Sequence, residues 1–207
     1  MLLAIFGLVG YVVPTYIEST NAATVRSRLQ QEALVILGRV EADLRVSSAP
    51  AIHVLPTPTP DPTTTSGGDA DPLSSPDIQA GFSVHALRDG AYPGFQAWQD
   101  HLFVYSWRSR TRTLIRKRWP PSPPVNGPPI TSVGPAAVSD AELTSIIDTP
   151  NGTEAVLSRN VRSFIFCKAS EPSPGTWRIQ LALEEKVNDR RTERLEAERV
   201  VLVRNTQ

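Results

Sequence analysis

Cysteine is almost missing from this chain: of 207 residues only Cys167 carries a thiol. An internal disulfide is therefore excluded, and the lone thiol fits either a reducing or an oxidising compartment. Histidine is nearly as scarce. His53, His85 and His101 are scattered and fall at no metal-ligand spacing with one another or with Cys167;. Charge of one sign is missing too, since 21 basic side chains balance 21 acidic ones. That balance removes any general pull toward nucleic acid or an anionic surface. No Gly-x-Ser-x-Gly nucleophile motif occurs, and Ser66-Gly67-Gly68-Asp69 lacks the lysine and helix that make a phosphate loop;. Asp69 and Asp71 make no calcium loop, and no repeat of fixed period is present. Neither a catalytic constellation, a cofactor site nor a metal site emerges, and the expectation is a protein that is not an enzyme.

Proline runs the other way. Nineteen are present, and they cluster in residues 49–80 and 119–135. Stretches of Pro, Thr, Ser, Gly and Asp bury too little apolar surface to offset their ordering entropy, so both are expected to be loops.

A long uncharged run opens the chain. Leu2, Leu3, Ile5, Phe6, Leu8, Val9, Val12 and Val13 come after Met1, with Gly7, Gly10, Pro14 and Tyr16 among them, until Glu18 ends the run. It falls just short of the roughly 20 residues that cross a bilayer. No basic leader precedes it, which argues against a secretory signal peptide. Beyond it, Val25, Leu29, Ala33, Ile36, Leu37, Val40 and Leu44 recur at steps of three and four, the stripe of an amphipathic helix. Arg26, Arg28, Glu32, Arg39, Glu41, Asp43 and Arg45 fill the remaining positions, and Pro50 ends the pattern;. One helix over about residues 2–47 is expected, kinked at Pro14. Residues 1–17 then serve as a membrane or helix-bundle segment, and residues 18–48 as its amphipathic continuation. The plainer reading is the buried N-terminal helix of a soluble protein.

Residues 81–207 carry strand patterns. His101–Arg108 alternates and returns through Arg112–Trp119, which reads as a hairpin. Its cations, from Arg108 to Arg118, with Trp107 and Trp119 interleaved, suggest a weak nucleic-acid patch; the blander reading is a charged, solvated sheet face. Ser139 with Glu142 forms a capping-box pattern ahead of Leu143, Ile146 and Ile147. Val161–Lys168 reads as a strand with Val161, Ile165 and Cys167 on one buried face. Trp177, Ile179, Leu181 and Leu183 alternate with polar residues as in a sheet covered on one side. Glu198–Asn205 reads as the last strand, reached through a turn at Asn188-Asp189. Asn151-Gly152-Thr153 matches a glycosylation acceptor.

The opening LLAIFGLVGYVVPTYIES, with Pro14 and Tyr16 at a kink and Gly7 and Gly10 as small residues, resembles the helix of type IV pilins and type II secretion pseudopilins. VEADLR at 40–45, the hairpin, and the closing strands are similar to J-type minor pseudopilins and PilW-like proteins. The family's glycine cleavage site, phenylalanine and glutamate are absent, so the resemblance implies further residues encoded ahead of Met1. It implies an α+β, pilin-like fold: a long N-terminal helix packed on an antiparallel β-sheet, with Val25, Leu29, Leu37, Val40 and Leu44 at the contact. It further implies a structural subunit of a type II secretion or type IV pilus system, held as a single-pass protein in the bacterial inner membrane with its domain outside. Its partners would be like subunits, the assembly platform and lipid. The alternative is a membrane-tethered extracytoplasmic binding domain with no filament role.

Overall fold

The computed structural model describes residues 2–47, 49–55, 78–88, 97–120, 130–131, 138–168 and 175–203. Helix α1 spans Leu2–Arg45, about 65 Å at 1.5 Å per residue. The strands are β1 (Ile52–Val54), β2 (Ile78–Arg88), β3 (Ala97–Arg108), β4 (Thr113–Trp119), β5 (Ile130–Thr131), β6 (Ala155–Ser158), β7 (Val161–Lys168), β8 (Thr176–Asn188) and β9 (Arg191–Leu202), with helix α2 (Asp140–Asp148) before β6.

The expected class, a long helix laid on one antiparallel sheet, is corrected. The described residues are mostly β, and their strands form two antiparallel sheets. One runs β1-β2-β3-β4-β6, with β5 added on β3; the other is β7-β8-β9. The split comes at Arg159-Asn160, where the chain leaves β6 and β7 pairs forward with β8. Both sheets contribute to one core: Phe82 and Tyr105 from the first, Phe164, Phe166 and Trp177 from the second, and Leu29, Ile36, Val40 and Leu44 from α1. Phe82 joins the sheets by stacking on Tyr105 at 4.7 Å and on Phe166 at 3.8 Å, and Phe166 stacks on Trp177 at 4.8 Å. Aromatic pairs at such distances add stabilisation beyond the area they bury.

Among the described residues no helix is long and apolar enough to cross a membrane. The expected single-pass span, the transmembrane helix and the inner-membrane placement are overturned. Physically, the uncharged run stops at Glu18, and the remainder of α1 alternates between core and charge.

Other expectations shift locally. The stretch expected as a loop over 49–80 contributes strand at both ends, β1 and the start of β2, because Ile52 is buried. Residues 56–77 lie outside the described residues, as does most of 119–135 apart from β5. In β7 the buried side chains are Val161, Phe164 and Phe166, while Ile165 and Cys167 are exposed. A register shift between Val161 and Ser163 inverts the alternation partway along the strand;. Strand β9 begins seven residues before the expected Glu198. Its first half is held by pairing with β8 and by charged partners, with Leu195 half-buried against the core. In β8 the burial of Trp177, Ile179, Leu181 and Leu183 matches the alternation. Ser139 caps α2 and accepts from the Glu142 amide.

Candidate assembly surface

Helix α1 has two opposed faces. On the inner face Leu29, Ala33, Ile36, Leu37, Val40 and Leu44 are buried, and Val25 is half-buried. On the outer face Tyr16, Leu34 and Val35 are 71%, 61% and 70% exposed, with Val13 and Ile17 about half exposed. Residues 2–12, 14 and 15 belong to the helix by their backbone, and their side chains lie outside the described residues. These include the expected assembly residues Leu2, Leu3, Ile5, Phe6, Gly7, Leu8, Val9, Gly10, Val12 and Pro14.

The helix is clamped to the first sheet by a polar trio that sequence reasoning misses. The Tyr105 hydroxyl donates to Asp43 Oδ2 at 2.5 Å, and Arg116 Nε donates to the same oxygen at 2.8 Å. A second guanidinium nitrogen reaches Asp43 Oδ1 at 3.2 Å, and the Arg116 group lies 3.5 Å from the Phe103 ring centre. All three residues are shielded from water, and Tyr105 is fully buried. Burial, then the neighbouring Asp43 carboxylate, pushes the Tyr105 phenol far above its ordinary pKa. The helix pattern groups Asp43 with solvent-facing residues, yet it is only 8% exposed. The available signal is its place beside Val40 and Leu44, where an acid enters the core and needs a partner.

The hairpin cations do not make an open patch. Arg116 points inward to Asp43, and Arg112 pairs with Glu184 at 3.1 Å. Lys117 is 4% exposed and donates to the carbonyls of Ile146, Ile147 and Thr149 at 2.7, 3.0 and 2.7 Å. It thus closes the C-terminus of α2. Trp107 is buried and Trp119 half-buried, so neither offers a stacking platform;. Glu184 gathers Arg112, Arg162 and Arg194. The Arg162 hydrogen bond, then the other guanidiniums, hold its carboxyl below the usual range. Asn151 Nδ2 donates to the Arg118 carbonyl at 2.8 Å, so the glycosylation-like asparagine is already engaged.

Among the described residues, no three His, Cys, Asp or Glu side chains are placed to hold a metal. His53 is tied to Asp140 at 2.6 Å. Burial, then the nearby His101, lowers His85 to about 4, so it stays neutral at physiological pH. One groove of about 490 Å³ lies on the outer side of α1, between Val35, Gly38, Arg39 and Ala42 of the helix and Arg116, Ala155 and Leu157 of the sheet. A Cβ placed on Gly38 would meet nothing within 4 Å, so the groove is open there. Comparison with protein-family models, with curated proteins and with solved structures found no match.

Proposed function

We propose that the chain is a non-catalytic structural subunit that assembles through α1 into a filament of the pilin or pseudopilin kind. One observation supports this most directly. The face of α1 turned away from the domain's core carries exposed Tyr16, Ile17, Leu34 and Val35. A surface helix ordinarily keeps its apolar residues on one stripe and its charges opposite. Here the opposite face carries apolar pairs as well, separated by uncharged Thr20, Thr24, Ser27 and Gln31, which suits a helix that buries part of both sides. The energy for assembly would come from that exposed area, at roughly 25 cal/mol per Å² removed from water. The test is to shear filaments from cells that make the protein and probe them for the chain. The chain is expected in the sheared, sedimentable fraction. Filaments free of it would reject the proposal.

A further inference from the structure

The smaller sheet ends on β9, and among the described residues no strand pairs with the far side of that strand. Which of its backbone groups stand open follows from one bond. The Val203 amide donates to the Gly175 carbonyl, and the register from there back to Thr192 is unbroken. Backbone groups of an antiparallel strand alternate between its two sides. Odd-numbered residues of β9 therefore turn to β8, and even-numbered ones turn to the free edge. The free set is Thr192, Arg194, Glu196, Glu198, Val200 and Leu202, all of them exposed. Helix α1 covers the inner face instead, where Leu195 and Ala197 pack toward the core. Natural sheets blunt a long edge with proline, lysine or a bulge. Residues 192–202 have no proline or lysine, and no register shift falls among them.

We infer that this edge pairs with the same edge of a second copy, antiparallel, about a twofold axis through Glu196. The charge pattern of β9 selects both the occupant and the register. Centred on Glu196, the pairing sets Arg194 against Glu198 and Glu193 against Arg199, each twice by symmetry, with Leu195 against Ala197. Opposite charges facing across strands stabilise a pair, and like charges oppose it. The one like pair is Glu196 against itself. Centred one residue later, the pairing sets Glu196 against Glu198 twice; one residue earlier, it sets Arg191 against Arg199 twice. A guanidinium has five N–H donors, so Arg194 holds Glu184 of its own chain and Glu198 of the second copy together;. Five even-numbered pairs, from Thr192–Val200 through to its symmetry mate, exchange two bonds each, about ten in all. The overlap of about 11 residues runs about 37 Å at roughly 3.4 Å each. At about 10 Å wide it buries under half of the roughly 800 Å² per partner in a stable pair. The dimer is therefore reversible and favoured by concentration. The contact is isologous, so it closes at two copies and joins two three-stranded sheets into one of six. It lies apart from the outer face of α1 and stands independently of the filament reading.

The test uses the full chain carrying Val35→Glu, so that the helix face takes no part, and Cys167→Ser. Glu196→Cys is added and the protein oxidised mildly at rising concentration. Only residue 196 meets itself across the axis, at about 5.5 Å between Cα atoms, within disulfide reach. A disulfide-linked dimer that stops at two chains is expected. Thr192→Cys alone should give none, and a mixture of Thr192→Cys chains with Val200→Cys chains should give the mixed dimer. Without added cysteine, Glu196→Gln removes the like pair and should tighten the dimer severalfold at neutral pH, whereas Arg194→Glu should weaken it by about tenfold or more. Thr192→Cys chains that link to themselves as readily as Glu196→Cys chains mean another register and overturn the inference. So does a Glu196→Gln chain that dimerises less well than its parent. A chain that stays monomeric at every concentration overturns it and leaves the filament reading untouched.

Discussion

Asp43 carries more of the architecture than its single charge suggests. Its carboxylate takes hydrogen bonds from Tyr105 and from Arg116, and so ties α1 to the first sheet from inside. Removing one member of a buried ion pair leaves the other charge uncompensated. Asp43→Ala should therefore cost about 3–5 kcal/mol. Tyr105→Phe, which spares the ion pair, should cost about 1–2 kcal/mol. Denaturant unfolding of both variants checks the order, and equal losses would contradict the clamp. Acid sensitivity is set at the same scale. His85 takes its proton near pH 4 when folded, against about 6.5 when unfolded. The unfolded chain therefore binds the proton first. The stability that neutral His85 confers is complete above pH 6.5 and drains as pH falls toward 4, by about 1–2 kcal/mol once partial exposure is allowed for. Replacing His85 with Gln should flatten unfolding free energy between pH 6.5 and 4. Below that window the Glu184 and Glu154 carboxylates, both held under the usual range, lose their contribution as they protonate. The role of His85 is not legible from sequence, because a histidine in a strand looks alike whether buried or wet, and the one hint for Asp43 is its place beside Val40 and Leu44.

At the scale of elements, periodicity is readable where one side of an element faces the core. In β8 and α2 the apolar spacing matches the buried side chains, and the Ser139 cap sits where the capping box places it. Where geometry interrupts the period, reading from sequence fails. The register shift near Ser163 turns Phe164 and Phe166 inward and Cys167 outward. No residue in that strand announces the shift, because a bulge depends on the partner strand as much as on its own. Strand β9 reads too short from sequence for a related reason, since its ladder to β8 runs through Arg194 and Glu193, which have no apolar period. The most consequential element contact is Lys117, whose ammonium closes three carbonyls at the end of α2 and pairs with Glu154 at 3.3 Å. Lys117→Met keeps the length of the side chain and removes the donors. It should destabilise by about 2–3 kcal/mol and release α2 first, seen as faster amide exchange at Leu143, Ile146 and Ile147 than elsewhere. Uniform exchange across the domain would contradict that assignment. At Gly81, a Cβ would come within 2.9 Å of Ile147 and of Leu55, so this glycine is the close approach that lets α2 lie on β2.

Among the described residues, two antiparallel sheets and α1 share one core, α2 packs in a second apolar cluster with Leu102 and Val104 of β3, and the outer side of α1 is left exposed. The two-sheet division is hidden in the sequence, because a run of strands fixes neither where pairing stops nor which neighbour a strand takes. The core stripe on α1 and the uncharged opening run are both visible there. Assigning that run to lipid puts the emphasis on the first 17 residues, whereas the exposed pairs on the outer face extend to Leu34-Val35, well along the helix beside the domain. Self-assembly driven by that outer face is the property on which the proposed role depends. Sedimentation equilibrium of the full chain and of Val35→Glu, each over a wide concentration range, reads it without intermediaries. The average mass should climb with concentration past the paired mass, twice 22.6 kDa, for the natural chain and never exceed it for the variant. A natural chain that holds the monomer or paired mass throughout, or a Val35→Glu chain that assembles as readily, would contradict self-assembly through this face.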